Sequence, residues 1–287
     1  MSIRSHSFIL CVNLIHSDII THRDTLKLAS VGDNCVDNYV ELGRRFPGGN
    51  ALNVAVYASR MPKIEVEYYG AVGIDEEGDF ILSQMQREGL GVKGVTRFQG
   101  RTAETKILIR NGDRIFAEYR EGVQKEAKLP LEHLPRINSA DLVHFTVWGW
   151  GREHIPSLIG KRSCDFSNQL NHQALEVMPY LDYSFFSGRE LLSTGLNPED
   201  KLRELGKKTS GILVMTLGEH GSLVYDGSRI FRGESLQVNV VDTLGAGDSY
   251  IAAFLCTHAS GESIPDSIKK GHLAATATCK RLGGWGG

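Results

Sequence analysis

The stretch from Leu129 to the C terminus alternates short apolar runs with helical patterns, and this alternation limits the possible folds more than any other feature. The apolar runs predict strands at 141–147, 163–166, 182–187 and 211–217. A helical pattern at 198–208 is the clearest of those between them. Strands that alternate with helices form βαβ units, so we predict an α/β fold with a mainly parallel sheet covered by helices.

The first half of the chain predicts further core strands and a separate β-ribbon. Apolar runs at 26–31 and 64–72 are typical of buried strands, and an amphipathic helix follows at 75–89. Residues 102–110 and 114–119 predict a hairpin, because Asn111-Gly112-Asp113 is a strong turn signal between them. The hairpin carries many charged residues, so we place it outside the main sheet, paired with an exposed strand at 35–45 as a lid.

These patterns divide the chain into a core, a lid and an extension. The α/β core comprises residues 26–33, 46–97 and 122–287, and the β lid comprises residues 34–45 and 98–121. Residues 1–25 form an N-terminal extension of unknown role, which is too short and too polar for a convincing signal peptide.

Composition excludes several classes of protein. The length of 287 residues suits one large domain, or a core with a smaller appendage. A net charge of -2 argues against a dedicated binder of nucleic acid or of a membrane surface. No apolar run approaches the length that spans a bilayer. The five cysteines are scattered, which favours reduced thiols in a cytoplasmic protein over a disulfide framework or a zinc site.

The run Asp242-Thr243-Leu244-Gly245-Ala246-Gly247-Asp248 predicts an anion site with a carboxylate beside it. We expect a hydrophobic strand to end at Val240-Val241 and a helix to begin at the glycines. The first N–H groups of a helix lack partners and favour a bound phosphate. Asp248 is then either an N-terminal cap, a common role of aspartate, or a base for a hydroxyl that attacks phosphorus.

A second informative run, Phe46-Pro47-Gly48-Gly49-Asn50, precedes a helix predicted at 51–60. Asn50 can cap that helix, or its amide and the glycine backbone can bind sugar hydroxyls. Asp33 follows the strand at 26–31, at the end of a core strand where α/β proteins usually bind ligands. A plain turn would also explain Asp33.

Taken together, these runs resemble the signatures of the ribokinase-like carbohydrate kinases, the phosphofructokinase B family. Gly48-Gly49-Asn50 resembles the first signature, the run at 242–248 the second, and Thr216-Leu217-Gly218-Glu219-His220-Gly221 the nucleotide-side turn. The resemblance covers Leu26 to the C terminus. It implies a three-layer sandwich with a small β-sheet lid and ATP-dependent phosphoryl transfer to a primary hydroxyl of a small-molecule sugar. It also implies Mg²⁺, and in some members K⁺. Exposed edges of the lid strands favour a homodimer through the lid.

The resemblance also implies roles for individual residues. Asp248 is the catalytic base, and the anion hole consists of the backbone N–H groups of Gly245, Ala246 and Gly247. The residues that bind the sugar are Asp33, Gly49, Asn50 and Asn53. The residues along the nucleotide are Thr216, Gly218 and Gly221. Asp242 and the carbonyl of Leu244 resemble part of a monovalent-cation site.

One motif departs from the family pattern. Members of the family carry Asn-x-x-Glu before the nucleotide strand, where it arranges Mg²⁺ and phosphates, whereas this chain has Ser187-Gly188-Arg189-Glu190. We keep Glu190 as a residue of the metal shell. We do not assign Ser187 to it, because serine has a shorter reach than asparagine. No Gly-x-x-x-x-Gly-Lys run is present, so the chain is not a P-loop kinase.

Further runs resemble the members of this family that phosphorylate the 6-hydroxyl of fructoselysine, the Amadori adduct of lysine. These runs are 31–37, 49–57, 119–123, 143–144 with 148–149, and 164–167. The acceptor stays open between a fructosamine and another substrate of the family, namely fructose, ribose, a keto-deoxy sugar acid or a nucleoside. A catalytically silent ligand-binding regulator on the same fold is the other alternative. Acidic side chains of the lid that could pair with the amine of a fructosamine, or simply be solvated, are Asp37, Glu104, Glu118 and Glu121.

Overall fold

Two β-sheets and seven α-helices make up the part of the chain that the computed structural model describes, residues 25–110 and 113–285. The strands are β1 (Leu26–Val31), β2 (Cys35–Tyr39), β3 (Arg44–Gly48), β4 (Ile64–Gly73), β5 (Val95–Phe98), β6 (Glu104–Arg110), β7 (Asp113–Arg120), β8 (Leu142–Thr146), β9 (Lys161–Asp165), β10 (Tyr183–Ser187), β11 (Ile212–Thr216), β12 (Ser222–Tyr225) and β13 (Ile230–Gly233). The helices are α1 (Asn50–Ser59), α2 (Glu76–Arg87), α3 (Leu134–Ile137), α4 (Arg189–Thr194), α5 (Pro198–Gly206), α6 (Ala246–Ala259) and α7 (Ile264–Thr278).

The large sheet has the strand order β13-β12-β11-β10-β9-β8-β1-β4-β5. Neighbouring strands from β11 to β5 run parallel, and β12 and β13 are antiparallel at one edge. The predicted α/β fold with a mainly parallel sheet is therefore confirmed. Since parallel strands end on the same side of a sheet, the residues that follow β1, β8, β9, β10 and β11 line one common edge.

Two hydrophobic clusters cover the two faces of the large sheet. Alternate residues of one strand point to opposite faces, so Leu28 of β1 joins the cluster that contains α1, α2, α6 and α7. Ala29 joins the opposite cluster, which contains α4, α5 and short 3₁₀ segments. Helix α6 is buried over most of its length, because α1 and α7 flank it. The fold therefore has three layers, helices–sheet–helices.

The small sheet, which we call the lid, has the order β3-β2-β6-β7. The predicted hairpin is confirmed as β6 and β7, although its turn residues 111 and 112 lie outside the described residues. Its predicted pairing with the segment after β1 is also confirmed, because β2 runs parallel to β6. The prediction of one exposed strand at 35–45 is wrong: a 3₁₀ turn at Val40–Leu42 divides the segment into two strands, and β2 is mostly buried.

The lid extends slightly further along the chain than the predicted boundary at residue 45. Strand β3 continues to Gly48, so Phe46 and Pro47 belong to the small sheet. Strand β5 places Phe98 in the large sheet, one residue beyond the predicted core segment. Residues 1–24 of the N-terminal extension lie outside the described residues.

The segment before α6 is not a strand, contrary to our expectation for Val240-Val241. None of the described strands pairs with this segment. The N–H groups of Val241 and Asp242 donate instead to the carbonyl of Cys279, just after α7, at 2.8 and 3.3 Å. The side chains of Val240 and Val241 are exposed. None of the helices in residues 25–110 and 113–285 has both the length and the apolar character needed to cross a membrane.

Candidate active site

Helix α6 begins beside an open space at the carboxyl edge of the large sheet. Its N-cap is Gly245, with φ +75°, where a Cβ would lie 2.2 Å from the carbonyl oxygen of Gly284. Only glycine fits that position. At Gly247, in contrast, a Cβ would meet no described heavy atom within 4 Å. A ligand can therefore approach the first turn of α6, where backbone N–H groups lack carbonyl partners within the helix.

Asp248 is not the cap of α6. The cap position belongs to Gly245, and Asp248 is the third residue of the helix. Its carboxylate is buried and accepts a hydrogen bond from the Asn53 side-chain amide, Nδ2 to Oδ2, at 2.6 Å. Asn53 lies in α1, 195 positions earlier in the chain. Helix capping therefore does not explain the presence of an aspartate at position 248. The alternative role, as a base, stays open.

Several carboxylates surround Asp248 and change its proton affinity. Burial raises the pKa of Asp248 well above the usual range, the Asn53 hydrogen bond lowers it, and the charges of Asp165, Asp33 and Asp37 raise it further. A base is most effective when its pKa lies near the working pH. The carboxyl group of Asp248 is thus tuned in the direction that general-base chemistry requires.

Asp33 holds the start of α1. It accepts the backbone N–H of Asn50 at 2.7 Å and that of Ala51 at 3.3 Å, and the hydroxyl of Thr146 also donates to it. Asn50 is therefore the first residue of α1, and our expectation that it caps the helix is wrong. The cap position belongs to Gly49, with φ +101°. A Cβ there would lie 2.3 Å from the Cα of Asn34 in the turn after β1, so this close approach requires glycine.

The side chain of Asn50 turns toward β9. Its Nδ2 donates to Asp165 Oδ2 at 3.1 Å, and Asp165 Oδ1 accepts the N–H of Ser167 at 2.8 Å. Burial raises the pKa of Asp165 to about 6, a rise that these two hydrogen bonds oppose and the charge of Asp33 assists. Asp33, Asn50 and Asp165 thus form one network next to Asp248.

Four of the residues predicted to bind the sugar or to act in catalysis therefore lie close together. The starts of α1 and α6 bring together Asp33, Asn50, Asn53 and Asp248. Among the predicted anion-hole donors, Gly245 is the N-cap of α6 and Gly247 lies in its first turn. The N–H of Ala246 already donates to the carbonyl of Thr243 at 3.2 Å, so this N–H group would be shared between that carbonyl and a bound anion.

The predicted nucleotide residues lie further along the same edge. Thr216 ends β11, and its strand partner Ser187 ends β10. Gly218 and Gly221 have φ +63° and φ +89°, and a Cβ at Gly221 would lie 1.9 Å from the Gly233 carbonyl oxygen. A Cβ at Gly218 would lie 3.5 Å from Cδ of Arg189, so the stem of that arginine runs close to this turn.

A sequence model of the family described as "pfkB family carbohydrate kinase" matches residues 23–285. The chain belongs to the pfkB family of carbohydrate kinases. It is 36% identical to fructoselysine 6-kinase of Escherichia coli (strain K12) over 262 residues, which cover 90% of this chain and 99% of the relative. It is 33% identical to fructosamine kinase FrlD of Bacillus subtilis (strain 168) over 272 residues, which cover 91% and 93%.

Solved structures show the same fold for this pfkB-family kinase. Arabidopsis thaliana ribokinase, solved with ribose and ATP, superposes with a TM-score of 0.79 at 18% identity, covering 89% of this chain and 93% of the ribokinase. Ribokinase of Thermotoga maritima superposes with a TM-score of 0.76 at 19% identity, covering 91% and 94%. The ribokinase-like sandwich with a lid, expected from the sequence motifs, is confirmed.

Glu190 of the kinase lies at the start of α4 and has a partner that the sequence motifs did not indicate. The amide of Asn168, in the turn after β9, donates to Glu190 Oε1 at 3.2 Å. The described residues contain no group of three or more His, Cys, Asp or Glu side chains that could hold a metal ion. One carboxylate with an adjacent amide oxygen fits Mg²⁺ that is held mainly by phosphate oxygens and water.

Asp242 of the kinase is buried and accepts three hydrogen bonds. The donors are the Tyr39 hydroxyl of the lid at 2.5 Å, the Leu244 N–H at 2.9 Å and the Gly283 N–H at 3.0 Å. These three donors already occupy most of the accepting sites of the carboxylate. The geometry instead makes Asp242 a link between the lid, the turn before α6 and the C-terminal segment, and a monovalent cation at Asp242 and Leu244 stays a prediction.

Asp165 and Asn168 are the two site residues that motif reasoning missed. Asp165 is the last residue of β9 and Asn168 lies in the turn after it, and β8 separates β9 from β1. The rule that singled out Asp33, a polar residue at the carboxyl end of a core strand, applies equally to Asp165 and would have found it. No local pattern marks Asn168, since its contact with Glu190 joins two loops 22 positions apart.

Proposed function

We propose that this kinase transfers the γ-phosphoryl group of ATP to the 6-hydroxyl of a fructosamine such as fructoselysine. The observation that carries the proposal is the position of Asp248, buried at the open first turn of α6 and hydrogen-bonded to Asn53. The acceptor is inferred from relatives named for fructoselysine and fructosamine, at 33% to 36% identity over about nine-tenths of the chain.

In the proposed reaction, Asp248 takes the proton of the attacking hydroxyl while the new oxygen–phosphorus bond forms and the bond to ADP breaks. The Asn53 amide fixes the carboxylate of Asp248 and leaves its other oxygen for the hydroxyl. N–H groups of Gly245 and Gly247, with a shared contribution from Ala246, stabilise the negative charge on the transferring group. Asp33, Gly49 and Asn50 orient the sugar.

The nucleotide is assigned to the edge formed by Thr216, Gly218 and Gly221. Glu190 and Asn168 would hold Mg²⁺ through water or direct contact. When bound, Mg²⁺ neutralises charge on the phosphates during transfer. Because residue 187 is serine, we assign the amide function of the family motif to Asn168.

The charge around the sugar side favours a cationic acceptor over a neutral sugar. Asp33, Asp37, Asp165 and Asp248 act on one another electrostatically, and Asp37 lies so close to Gly48 that a Cβ there would be 2.0 Å from its Oδ2. A protonated amine beside Asp37 would offset part of this negative charge. Two other acidic candidates serve the lid itself, because Glu118 pairs with Lys106 at 2.8 Å and Glu104 with Arg120 at 2.9 Å.

A substrate panel tests the proposal. The full-length protein is assayed with ATP and Mg²⁺ on fructoselysine, fructose, ribose, a keto-deoxy sugar acid and a nucleoside, with ADP release as the readout. We expect the highest kcat/KM on fructoselysine, and ³¹P–¹H NMR of the product should place the phosphate on carbon 6. A higher kcat/KM on a free sugar would show that this sugar, and not a fructosamine, is the acceptor. Absence of turnover on every compound, together with retained binding of one of them, would instead favour the silent regulator.

We further propose that the kinase works in the cytoplasm as a homodimer joined through its lids. Free thiols at Cys35, Cys164, Cys256 and Cys279 are compatible with a reducing compartment. On the lid, Val40, Leu42 and Phe116 are exposed apolar side chains that a second lid would cover. K⁺ activation through Asp242 and Leu244 is proposed as an optional feature, and a titration of activity with KCl against tetramethylammonium chloride tests it.

A further inference from the structure

A cavity of about 750 Å³ lies between the lid and the start of α2. Strands β6 and β7 and the segment after β7 form one side, and the N-terminal turn of α2 forms the other. The site residues described above, from Asp33 to Asp248, do not line it. Its volume exceeds what a sugar hydroxyl or a few waters need and matches a small-molecule pocket.

Charged side chains of both signs line this cavity, and some of them are already paired. Glu104 forms an ion pair with Arg120 at 2.9 Å. Asp75 caps α2 through the Gly78 N–H at 2.9 Å and also accepts the Thr102 N–H at 2.7 Å. These three side chains are therefore already engaged in contacts that build the cavity wall.

Four other charged side chains of the cavity have no partner of this kind. Within residues 25–110 and 113–285, no ion pair and no side-chain hydrogen bond involves Glu77, Arg101, Glu121 or Lys125, although all four line the same space. Opposite charges that line one cavity and do not pair with each other leave a complementary set for a ligand that carries both signs. The cavity thus offers two cations and two carboxylates to such a ligand.

The cavity adjoins the sugar side of the active site. Gln124 is the neighbour of Lys125 in the chain, and its amide donates to the carbonyl of Asn34, directly after Asp33, at 2.5 Å. Tyr119 lines the cavity and lies in the same row of the lid sheet as Asp37, because Thr105 pairs with both residues. Burial and the charges of Asp33 and Asp37 raise the pKa of Tyr119. A ligand with its sugar at Asp33 and an arm beyond Tyr119 would enter this cavity.

We infer that the cavity binds the zwitterionic α-amino acid end of a glycated amino acid, with Arg101 and Lys125 on the α-carboxylate and Glu77 and Glu121 on the α-ammonium. This inference rests on the proposed function, because it takes the sugar end of the same substrate to lie at Asp248. Free sugars have neither charge, so the cavity would make the kinase selective for glycated lysine over both free sugars and glycated simple amines.

Matched substrates test the inference. Fructoselysine and the fructosamine of pentylamine share the sugar, the secondary amine and the alkyl arm, and only fructoselysine carries the α-ammonium and α-carboxylate. We expect kcat/KM to be at least about 10-fold higher for fructoselysine, the ratio that one good charge-assisted contact provides. Arg101→Ala and Lys125→Ala should lower kcat/KM for fructoselysine about 5-fold or more and leave the pentylamine compound unchanged.

The ammonium side has its own comparison. Glu121→Gln should lower kcat/KM for fructoselysine but have no effect on its Nα-acetyl derivative, which lacks the ammonium charge. Lys93→Ala removes an exposed lysine outside the cavity and should change neither substrate. Since all these positions are on the surface or half-buried, thermal melting of each variant should match that of the parent.

Two failures are distinguishable. Equal kcat/KM on fructoselysine and the pentylamine compound, unaffected by Arg101→Ala and Glu121→Gln, would overturn the inference and leave the fructosamine kinase intact. Lack of turnover on both compounds, with turnover on a free sugar, would overturn the proposed acceptor and this inference together.

Discussion

The pKa of Asp248 is set by a few neighbouring groups that act in opposite directions. Burial and the charge of Asp165 raise its pKa, whereas the hydrogen bond from Asn53 lowers it. Burial is the largest of these effects. The balance decides at which pH the carboxylate can accept a proton, so the neighbours of Asp248 should set the acid limb of the pH profile.

Two substitutions should move that acid limb in opposite directions. Asp165→Asn removes a charge that raises the pKa of Asp248, so the midpoint of the acid limb in kcat/KM should fall to lower pH. Asn53→Ala removes the hydrogen bond that lowers the pKa, so the midpoint should rise. The measurement is kcat/KM against pH for the parent and both variants. Shifts in the same direction, or no shift in either, would show that Asp248 is not the titrating group.

Asp248→Asn should make the protein more stable at alkaline pH. The pKa of Asp248 is raised in the folded state, so its favourable contribution is present below the unfolded pKa and is lost as pH rises through the folded pKa. At pH 8 the unfolded chain releases this proton more readily than the folded protein does, so the Asp248 carboxyl opposes folding, whereas asparagine does not titrate. We expect Tm to rise by about 2 °C at pH 8 and to change less at pH 4. An unchanged or lower Tm at pH 8 would contradict a raised pKa.

Among the elements, one hydrophobic cluster joins the lid to the turn before α6. Tyr39, Phe46 and Ile107 form the small core of the lid, and Leu244 and Leu282 of the main domain pack against it. The Tyr39 hydroxyl also donates to Asp242, two residues before Leu244. This cluster links the position of the lid to the turn that begins α6.

Tyr39→Phe should destabilise the protein more than the same substitution at the half-buried Tyr225. The substitution keeps the aromatic packing and takes one donor away from the buried carboxylate of Asp242. Loss of a partner from a buried charged acceptor costs about 1–3 kcal/mol. Urea unfolding gives the free energy of unfolding, and Tyr225→Phe, which removes only a bond to the Gly227 carbonyl in an exposed turn, is the matched control. Equal effects of both variants would show that the hydrogen bond from Tyr39 to Asp242 does not link the lid to the core energetically.

Sequence patterns predicted helices and strands well where the local sequence alone determines the element, without a contact to a residue far along the chain. The strand predicted at 26–31 agrees with β1 in both bounds, because a central parallel strand is a continuous apolar run bounded by polar residues. Val240-Val241 is also apolar, but the N–H of Val241 donates to the carbonyl of Cys279 after α7 and the segment joins no sheet. Asn50 looks like a cap, yet Asp33 supplies the capping oxygen from 17 positions earlier, which no local pattern contains.

At the scale of the whole molecule, the parallel sheet explains why the site is where it is. Strand order places the ends of β1, β8 and β9 side by side, and α1 and α6 begin over that edge. Alternation in the sequence predicts this edge, and the family motifs predict Asp33, Asn50 and Asp248 on it. The contacts among them could not be predicted, because they depend on strand order and on side-chain direction rather than on spacing along the chain.

The lid should also control the oligomeric state. Phe116 of β7 is 61% exposed, on a strand at the edge of the lid sheet. Sedimentation velocity should show a dimer for the parent and a monomer for Phe116→Glu, because a buried, unpaired charge is costly at an interface. When both proteins are measured at a concentration below the dimer dissociation constant, the variant should have the same Tm as the parent. A parent that sediments as a monomer at micromolar concentration would contradict the proposed dimer.

The turnover of Asp248→Asn with ATP and fructoselysine tests the central claim most directly, with Asp200→Asn, an exposed aspartate of α5, as the control. We predict that Asp248→Asn loses about 10²–10⁴-fold in kcat and still binds ATP, measured by calorimetry, because only proton removal is lost. Asp200→Asn should keep the parent kcat. Near-normal kcat in Asp248→Asn would contradict the claim that this buried carboxylate is the base.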